Sequence, residues 1–112
     1  MIELRSPLKI ERDPRGGWQL VLWAGNAFDY TTPFRAILGD IATALGQVRQ
    51  DDLRLPAYED HEDFVEGTLR FGDKWLRIYY EHALGYLALI SDSESTLRDA
   101  AGRIQANIQR NY

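Results

Sequence analysis

The sequence predicts a single α+β domain, residues 1–112, in which a mostly antiparallel five-stranded sheet carries two helices packed on one face. Two observations lead to this prediction. Short segments alternate apolar and polar residues as strands do, and two longer segments repeat apolar residues at helical spacing, in the order ββ-α-βββ-α. With 112 residues, of which 45% are hydrophobic, the chain can bury one core. Two helices on one face leave the other face of the sheet partly open.

The first two predicted strands form a hairpin. Residues 2–11 alternate apolar and charged side chains, and Pro7, which cannot donate a ladder hydrogen bond, indicates a sheet edge or a bulge. The segment 13–17 (DPRGG) has the composition of a turn. Residues 18–24 (WQLVLWA) place apolar side chains on both faces of the predicted strand, which predicts a more central position in the sheet.

Two segments have the apolar periodicity of helices. The first helix is predicted from about Pro33 to Arg49, because a proline at its start suits the first turn and a stripe of apolar residues follows. The second is predicted from about Asp92 to Gln109. Ser91 and Glu94 have the spacing of a capping box at its start.

The segment 51–63 (DDLRLPAYEDHED) is a break in composition. Six of its thirteen residues are acidic and one is basic, which is typical of a surface loop. Its carboxylates are candidate partner-binding residues that attract a basic partner over long range: Asp51, Asp52, Glu59, Asp60, Glu62 and Asp63.

A second hairpin is predicted over residues 64–82, with Gly72-Asp73 as its two-residue turn and a short strand at 86–90 after it. In this register the numbers of paired residues sum to 145. One face then carries the pairs Leu69–Leu76, Gly67–Ile78 and Val65–Tyr80. The other carries Arg70–Trp75, Thr68–Arg77 and Glu66–Tyr79.

The second of these faces supplies the other candidate partner-binding residues: Trp75, Tyr79, Arg70 and Arg77. Trp, Tyr and Arg are enriched at protein–protein hot spots because they give large contact areas with a polar group at one end. Trp23 shares one face of its own strand with Gln19 and Val21, the face with fewer apolar residues, and is a candidate to join the hairpin residues. A purely structural interpretation is equally open, in which Arg70 stacks on Trp75 or a terminal segment covers the face.

Several classes of function are disfavoured by composition. The chain has no Cys, and its net charge is −4, which argues against disulfides, thiol chemistry and nucleic-acid binding. No apolar run reaches the length of a membrane span and no signal peptide is recognised, so we expect a cytoplasmic protein that does not bind membranes. His61 and His82 have no neighbouring catalytic or metal-ligand pattern. We therefore expect no enzyme activity, no metal and no cofactor.

Three alternatives to partner binding remain open. A homodimer could use the open sheet face, and a small ligand could occupy a pocket lined by residues such as Phe34, Leu38, Tyr80 and Tyr86. An enzyme would need groups that converge in space, either carboxylates such as Asp29, Glu66 and Glu81 or metal ligands near one of the histidines.

The Gly-Trp hairpin (GGWQLVLW), the acidic middle segment and the late strand feeding a capped helix (YLALISDSESTLRDAAGRI) resemble small immunity proteins of bacterial toxin systems. The likeness lies in size, acidity and order of elements, and no binding residue is carried over from it. It implies a bacterial inhibitor that neutralises a toxin by direct binding. A basic toxin domain would be attracted to the acidic chain over long range.

Overall fold

The computed structural model describes residues 3–4, 7–23, 34–47, 53–55, 64–81 and 86–110. It confirms an α+β fold. The elements, in chain order, are β1 (Glu3–Leu4), β2 (Lys9–Arg12), β3 (Trp18–Trp23), α1 (Phe34–Ala44), β4 (Leu53–Arg54), β5 (Phe64–Phe71), β6 (Lys74–Glu81), β7 (Tyr86–Ser91), α2 (Glu94–Asn107) and β8 (Gln109–Arg110).

The main sheet has six antiparallel strands in the order β2-β3-β7-β6-β5-β4, so the prediction of five strands was wrong. The additional strand is β4, which lies inside the acidic segment predicted as a loop and pairs Leu53 with Leu69 of β5. Leu53 and Leu55 pack against the core, and that anchoring holds Arg54 between them in the sheet.

The predicted strand 2–11 is divided in two. β2 forms an edge of the main sheet, as Pro7 indicated, whereas β1 pairs with β8 in a separate two-stranded parallel sheet. The hairpin of β5 and β6 has the predicted register, with residue numbers of partners that sum to 145. Gly72 in its turn has φ 64°, the conformation that primed hairpin turns require and glycine readily adopts.

The end of α1 and the beginning of α2 differ from the predictions. α1 ends at Ala44, because Gly46 (φ 79°) closes it: the Gly46 N–H donates to the Thr43 carbonyl, and the Gln47 N–H donates to the Ala42 carbonyl. α2 begins after Ser93, whose hydroxyl accepts from the Thr96 N–H at 3.3 Å, so the predicted Ser91 cap was wrong by two residues.

One hydrophobic core joins both helices to one side of the sheet, which we call the inner face. The sheet contributes Leu20, Leu22, Leu69, Leu76, Ile78, Tyr80, Leu87 and Leu89. The helices contribute Leu38, Ile41, Leu97, Ala100 and Ile104, and Leu45 joins them from the turn after α1. The helices also contact each other, so both lie on the inner side. Neither helix in the described part of the chain has the length and apolarity needed to cross a bilayer.

Candidate functional site

The outer face of the sheet is the side opposite the two helices. It contains all four candidates predicted on the second hairpin, namely Trp75, Tyr79, Arg70 and Arg77, because these positions alternate with the buried residues of β5 and β6. The strand registers place these further residues on the same face: Lys9, Glu11, Gln19, Val21, Trp23, Arg54, Glu66, Thr68, Glu81, Tyr86, Ala88 and Ile90.

The centre of the outer face is buried although both described helices lie on the other side. Val21, Ala88 and Ile90 are 6%, 2% and 5% exposed, and they lie on the neighbouring interior strands β3 and β7. In the register, Ala88 pairs with Tyr79, and Ile90 pairs with Gln19 and Arg77.

The aromatic residues beside this strip form a cluster, which we call the aromatic cluster: Trp23, Tyr79 and Tyr86. The ring centroids of Trp23 and Tyr86 are 5.1 Å apart with planes at 66°, and those of Tyr79 and Tyr86 are 6.2 Å apart with planes at 64°. Both pairs have the edge-to-face geometry that aromatic rings prefer. Trp23 therefore joins the hairpin aromatics, as its parity suggested.

Burial and negative charge act together on the two tyrosine hydroxyls of the aromatic cluster. Burial raises the pKa of Tyr79, the charges of Glu81 and Glu66 raise it further, and Arg15 opposes them. Burial also raises the pKa of Tyr86, followed by the charge of Glu11 and the neighbouring Tyr79. This part of the outer face therefore combines aromatic surface with negative charge.

Positive charge gathers at another part of the outer face, the Trp75 corner, which consists of Trp75, Arg54, Arg70 and Arg77. Trp75 is 42% exposed and is the one large hydrophobic residue among those described that is exposed to this degree. The guanidinium carbon of Arg54 lies 4.4 Å from the centroid of the Trp75 ring. Arg70 instead donates from Nε to the Gly72 carbonyl at 2.9 Å. The cation over Trp75 is therefore that of Arg54, rather than that of Arg70 as in the structural alternative.

Sequence reasoning missed Arg54 because it lies in the segment predicted as a loop. The available signal was the alternation Leu53-Arg54-Leu55, in which two apolar residues flank one basic residue within an acidic segment. Gly67 of β5 makes the position possible. A Cβ atom there would stand 2.4 Å from the Arg54 carbonyl oxygen and 2.7 Å from a methyl of Leu55, so the close approach of β4 requires a glycine.

The other predicted site residues are not assembled by the described structure. The acidic candidates Asp51, Asp52, Glu59, Asp60, Glu62 and Asp63, together with His61, His82 and Asp29, lie outside the described residues. Glu66 and Glu81 share the outer face. Among the described residues there is no group of three or more side chains suited to hold a metal ion.

The ligand pocket proposed from the sequence is not formed by the residues named for it. Leu38 and Tyr80 are each 1% exposed and belong to the packed core, whereas Tyr86 lies on the outer face of the sheet. These three side chains cannot line one cavity, and that expectation was wrong. A cleft of about 330 Å³ does occur on the helix side, where Phe71, Asp99 and Arg103 meet the end of α1, and its lining mixes charges of both signs.

Comparison with protein-family models, with curated proteins and with solved structures finds no match for this chain. The resemblance to immunity proteins therefore stays a prediction, and function has to be inferred from the geometry of the outer face.

Proposed function

We propose that this chain is a non-enzymatic protein-binding domain whose contact surface is the outer face of the sheet. The exposure of Trp75 carries the proposal, since it is the one exposed large hydrophobic residue among those whose burial the structure describes. An exposed Trp among arginines, close to a half-buried aromatic cluster, has the composition of a protein–protein hot spot. A partner that covered this face would remove the Trp75 ring from water.

The specific form that we propose is a bacterial immunity-type inhibitor that acts in the cytoplasm and neutralises a basic toxin domain by direct binding. Two features support it: the net charge of −4, and the concentration of six acidic residues between 51 and 63. Long-range attraction would accelerate encounter with a basic partner, and the outer-face aromatics would then hold the complex.

Capture of a partner from the organism that encodes the chain tests the proposal. The immobilised wild type is compared with Trp75→Ala and with Gln105→Ala, a control at an exposed position of α2 away from the sheet. We expect one protein to be retained by wild type and by the control, and to be lost from Trp75→Ala. A folded Trp75→Ala chain that still retains the partner contradicts the proposal, as does an unfolded one, since Trp75 would then be part of the core.

The association and dissociation rates distinguish the role of the acidic residues from that of the outer-face aromatics. Replacement of the acidic residues of 51–63 by their amides should slow association, and the effect should shrink as salt is raised. Tyr79→Ala should instead accelerate dissociation, because it removes contact area and leaves the long-range charge unchanged. If the acidic variants change only the dissociation rate, the steering role is wrong.

A homodimer that uses the same face is the second candidate. Arg77 and Glu81 lie on the same face of β6, so a second copy in antiparallel orientation would present opposite charges to both. Analytical ultracentrifugation of wild type and Trp75→Ala distinguishes the two. A dimer that Trp75→Ala converts to a monomer supports this candidate, and a monomeric wild type excludes it.

A further inference from the structure

We propose that the Trp75 corner recognises a carboxylate-bearing segment of the protein partner, with side chains of Asp or Glu paired to the guanidinium groups of Arg54, Arg70 and Arg77. The inference rests on the proposed function and names the chemistry of the partner at that site. It differs from the long-range attraction of a basic partner, because it concerns the groups in direct contact at one part of the outer face.

The stacking of Arg54 prepares its guanidinium for a carboxylate. The guanidinium carbon of Arg54 lies 4.4 Å from the centroid of the Trp75 ring, and no hydrogen bond or ion pair from this guanidinium to another described residue is found. A guanidinium stacked on an aromatic ring keeps its N–H edge for other partners. The ring also restricts the rotation of the side chain, which reduces the entropy lost when a ligand binds. A carboxylate matches this N–H edge with two parallel hydrogen bonds.

The other two guanidinium groups lie within reach of the same ligand. Arg54, Thr68 and Arg77 form one row across β4, β5 and β6, which separates the two arginine backbones by about 10 Å. Arg70 and Trp75 form the next pair, about 7 Å further along the strands. The hydrogen bond from Arg70 Nε to Gly72 leaves its two terminal nitrogens as donors.

No carboxylate of the described structure satisfies these charges. Neither Arg54, Arg70 nor Arg77 forms an ion pair with another described residue, and the side chains of Arg54, Arg70 and Arg77 are exposed. Three like charges around one ring repel one another, and a ligand with one or two carboxylates would relieve that repulsion. Charge complementarity therefore favours an acidic ligand at this corner.

The flanking charges favour an acidic peptide over a nucleic acid. Glu66 lies two residues from Thr68 on β5, and Glu81 lies four residues from Arg77 on β6, so negative charge begins about 7–13 Å from the arginine row. A nucleic-acid backbone carries phosphates at regular short intervals, and it would meet these carboxylates as it crossed the face. A short segment with one or two carboxylates fits between them.

The test uses the full chain labelled with ¹⁵N and reads the Trp75 indole N–H and the Arg Nε–H signals during titration. The probe is the peptide acetyl-Gly-Glu-Asp-Glu-Gly-amide, its control is the amide counterpart acetyl-Gly-Gln-Asn-Gln-Gly-amide, and the competitor is an oligothymidylate of equal length. We expect the acidic peptide to shift the signals of the Trp75 corner and its half-saturation to weaken several-fold from about 20 to about 200 mM NaCl. The amide peptide should leave these signals in place.

Two variants with the same change of net charge sharpen the result. Arg54→Gln should weaken binding of the acidic peptide at least about threefold, the order expected when one surface ion pair is lost. Arg98→Gln on α2 should leave it unchanged, since this exposed arginine pairs with Glu94 and lies away from the sheet. Equal responses to both peptides, equal effects of both variants, or tighter binding of the oligothymidylate would each overturn the inference.

The inference and the proposed function can fail separately. Suppose that a partner is captured through Trp75 from the native organism, but the acidic peptide does not shift the signals of the Trp75 corner. Carboxylate recognition is then wrong, whereas the outer face remains a protein-binding surface. A peptide that binds as expected, together with no Trp75-dependent partner, supports the recognition chemistry and counts against the proposed function.

Discussion

The two faces of the main sheet are both buried at their centres, but only the inner face lies beneath the described helices. On the inner face, leucines such as Leu22 and Leu89 are fully covered because two helices pack over them. On the outer face, the smaller residues Val21 and Ala88 are also buried, although both described helices lie on the other side. Among the described elements, a second layer of helices thus lies over one face, whereas the other carries the aromatic cluster and the arginines of the Trp75 corner.

This difference places stability and recognition on opposite sides of one sheet. A helix layer resists deformation, so a cavity beneath it stays partly empty after a large residue is removed. Side chains that end in solvent can move into such a space or admit water. The outer face can therefore change its residues at lower cost, which suits a surface that has to match a partner.

Neighbouring positions on β7 give the largest expected contrast between the faces. Leu89→Ala should lower the free energy of unfolding by about 3–4 kcal/mol, because its cavity opens beneath the helices. Ile90→Ala should lower it by about 1–2 kcal/mol, because its neighbours on the outer face can collapse onto the site. Urea denaturation followed by circular dichroism measures both values.

The two residues form a matched pair. They are adjacent, have aliphatic side chains of equal size, and are 0% and 5% exposed. Equal losses of stability would mean that the outer face is covered as firmly as the inner one, and would contradict the comparison.

The position of β4 gives the next largest effect. Gly67→Ala places a methyl group against the Arg54 carbonyl and Leu55, so β4 must move away from β5. We expect a loss of about 2 kcal/mol, in the range of overpacked sites, and loss of the contact between Arg54 and Trp75. Urea denaturation gives the first result, and the chemical shift of the Trp75 indole N–H gives the second.

Gly102→Ala is the control for this substitution. A Cβ at Gly102 has no heavy atom within 4 Å, and the residue lies in the exposed part of α2. Alanine should therefore raise stability by about 0.5–1 kcal/mol through helix propensity alone. If the two glycine substitutions have the same sign, the close approach of β4 does not depend on Gly67.

The sequence predicted the parts of the fold that rest on local periodicity. The register of β5 and β6 followed from the Gly72-Asp73 turn, and the existence of both helices followed from their apolar stripes. The sixth strand could not be predicted, because two residues in an acidic segment become a strand only through long-range pairing with β5. The end of α1 was missed although Gly46 provides a local stop signal.

The candidate site shows the same division. Alternation placed Trp75 and Tyr79 together on the outer face, which the register confirms. The cation over Trp75 comes from Arg54 on a different strand, and no spacing in the sequence relates positions 54 and 75. Contacts within one hairpin can be predicted from alternation, whereas contacts between hairpins depend on strand order.

Truncation of Trp75 should have a small effect on stability. Trp75→Ala removes a side chain that is 42% exposed together with its contact to Arg54, and we expect a loss of about 1 kcal/mol. Thermal unfolding of the variant and of the wild type measures it. A loss of about 3 kcal/mol or more, of the order of a core truncation, would mean that Trp75 is packed as firmly as the inner-face residues. That result would contradict the difference between the two faces.

The smallest expected effect is a pH dependence that belongs to the outer face alone. The pKa values of Tyr79 and Tyr86 are raised in the folded chain, first by burial and then by nearby negative charge. Near pH 10, where tyrosines of the unfolded chain lose their protons, the folded chain binds more protons than the unfolded one. This contribution to stability is therefore complete below about pH 10 and is lost as the pH rises through the higher folded pKa values.

Urea denaturation between about pH 8 and pH 11 measures this slope. The double variant Tyr79→Phe/Tyr86→Phe should lose stability less steeply than wild type, because its outer face no longer holds a hydroxyl that resists ionisation. Trp75→Phe is the control, since it alters the same face without removing a titratable group. If both variants retain the slope of the wild type, the alkaline loss of stability arises away from the aromatic cluster. Because the inner face holds Tyr80 under the helices, a slope that disappears only with Tyr80→Phe would assign the effect to the core instead.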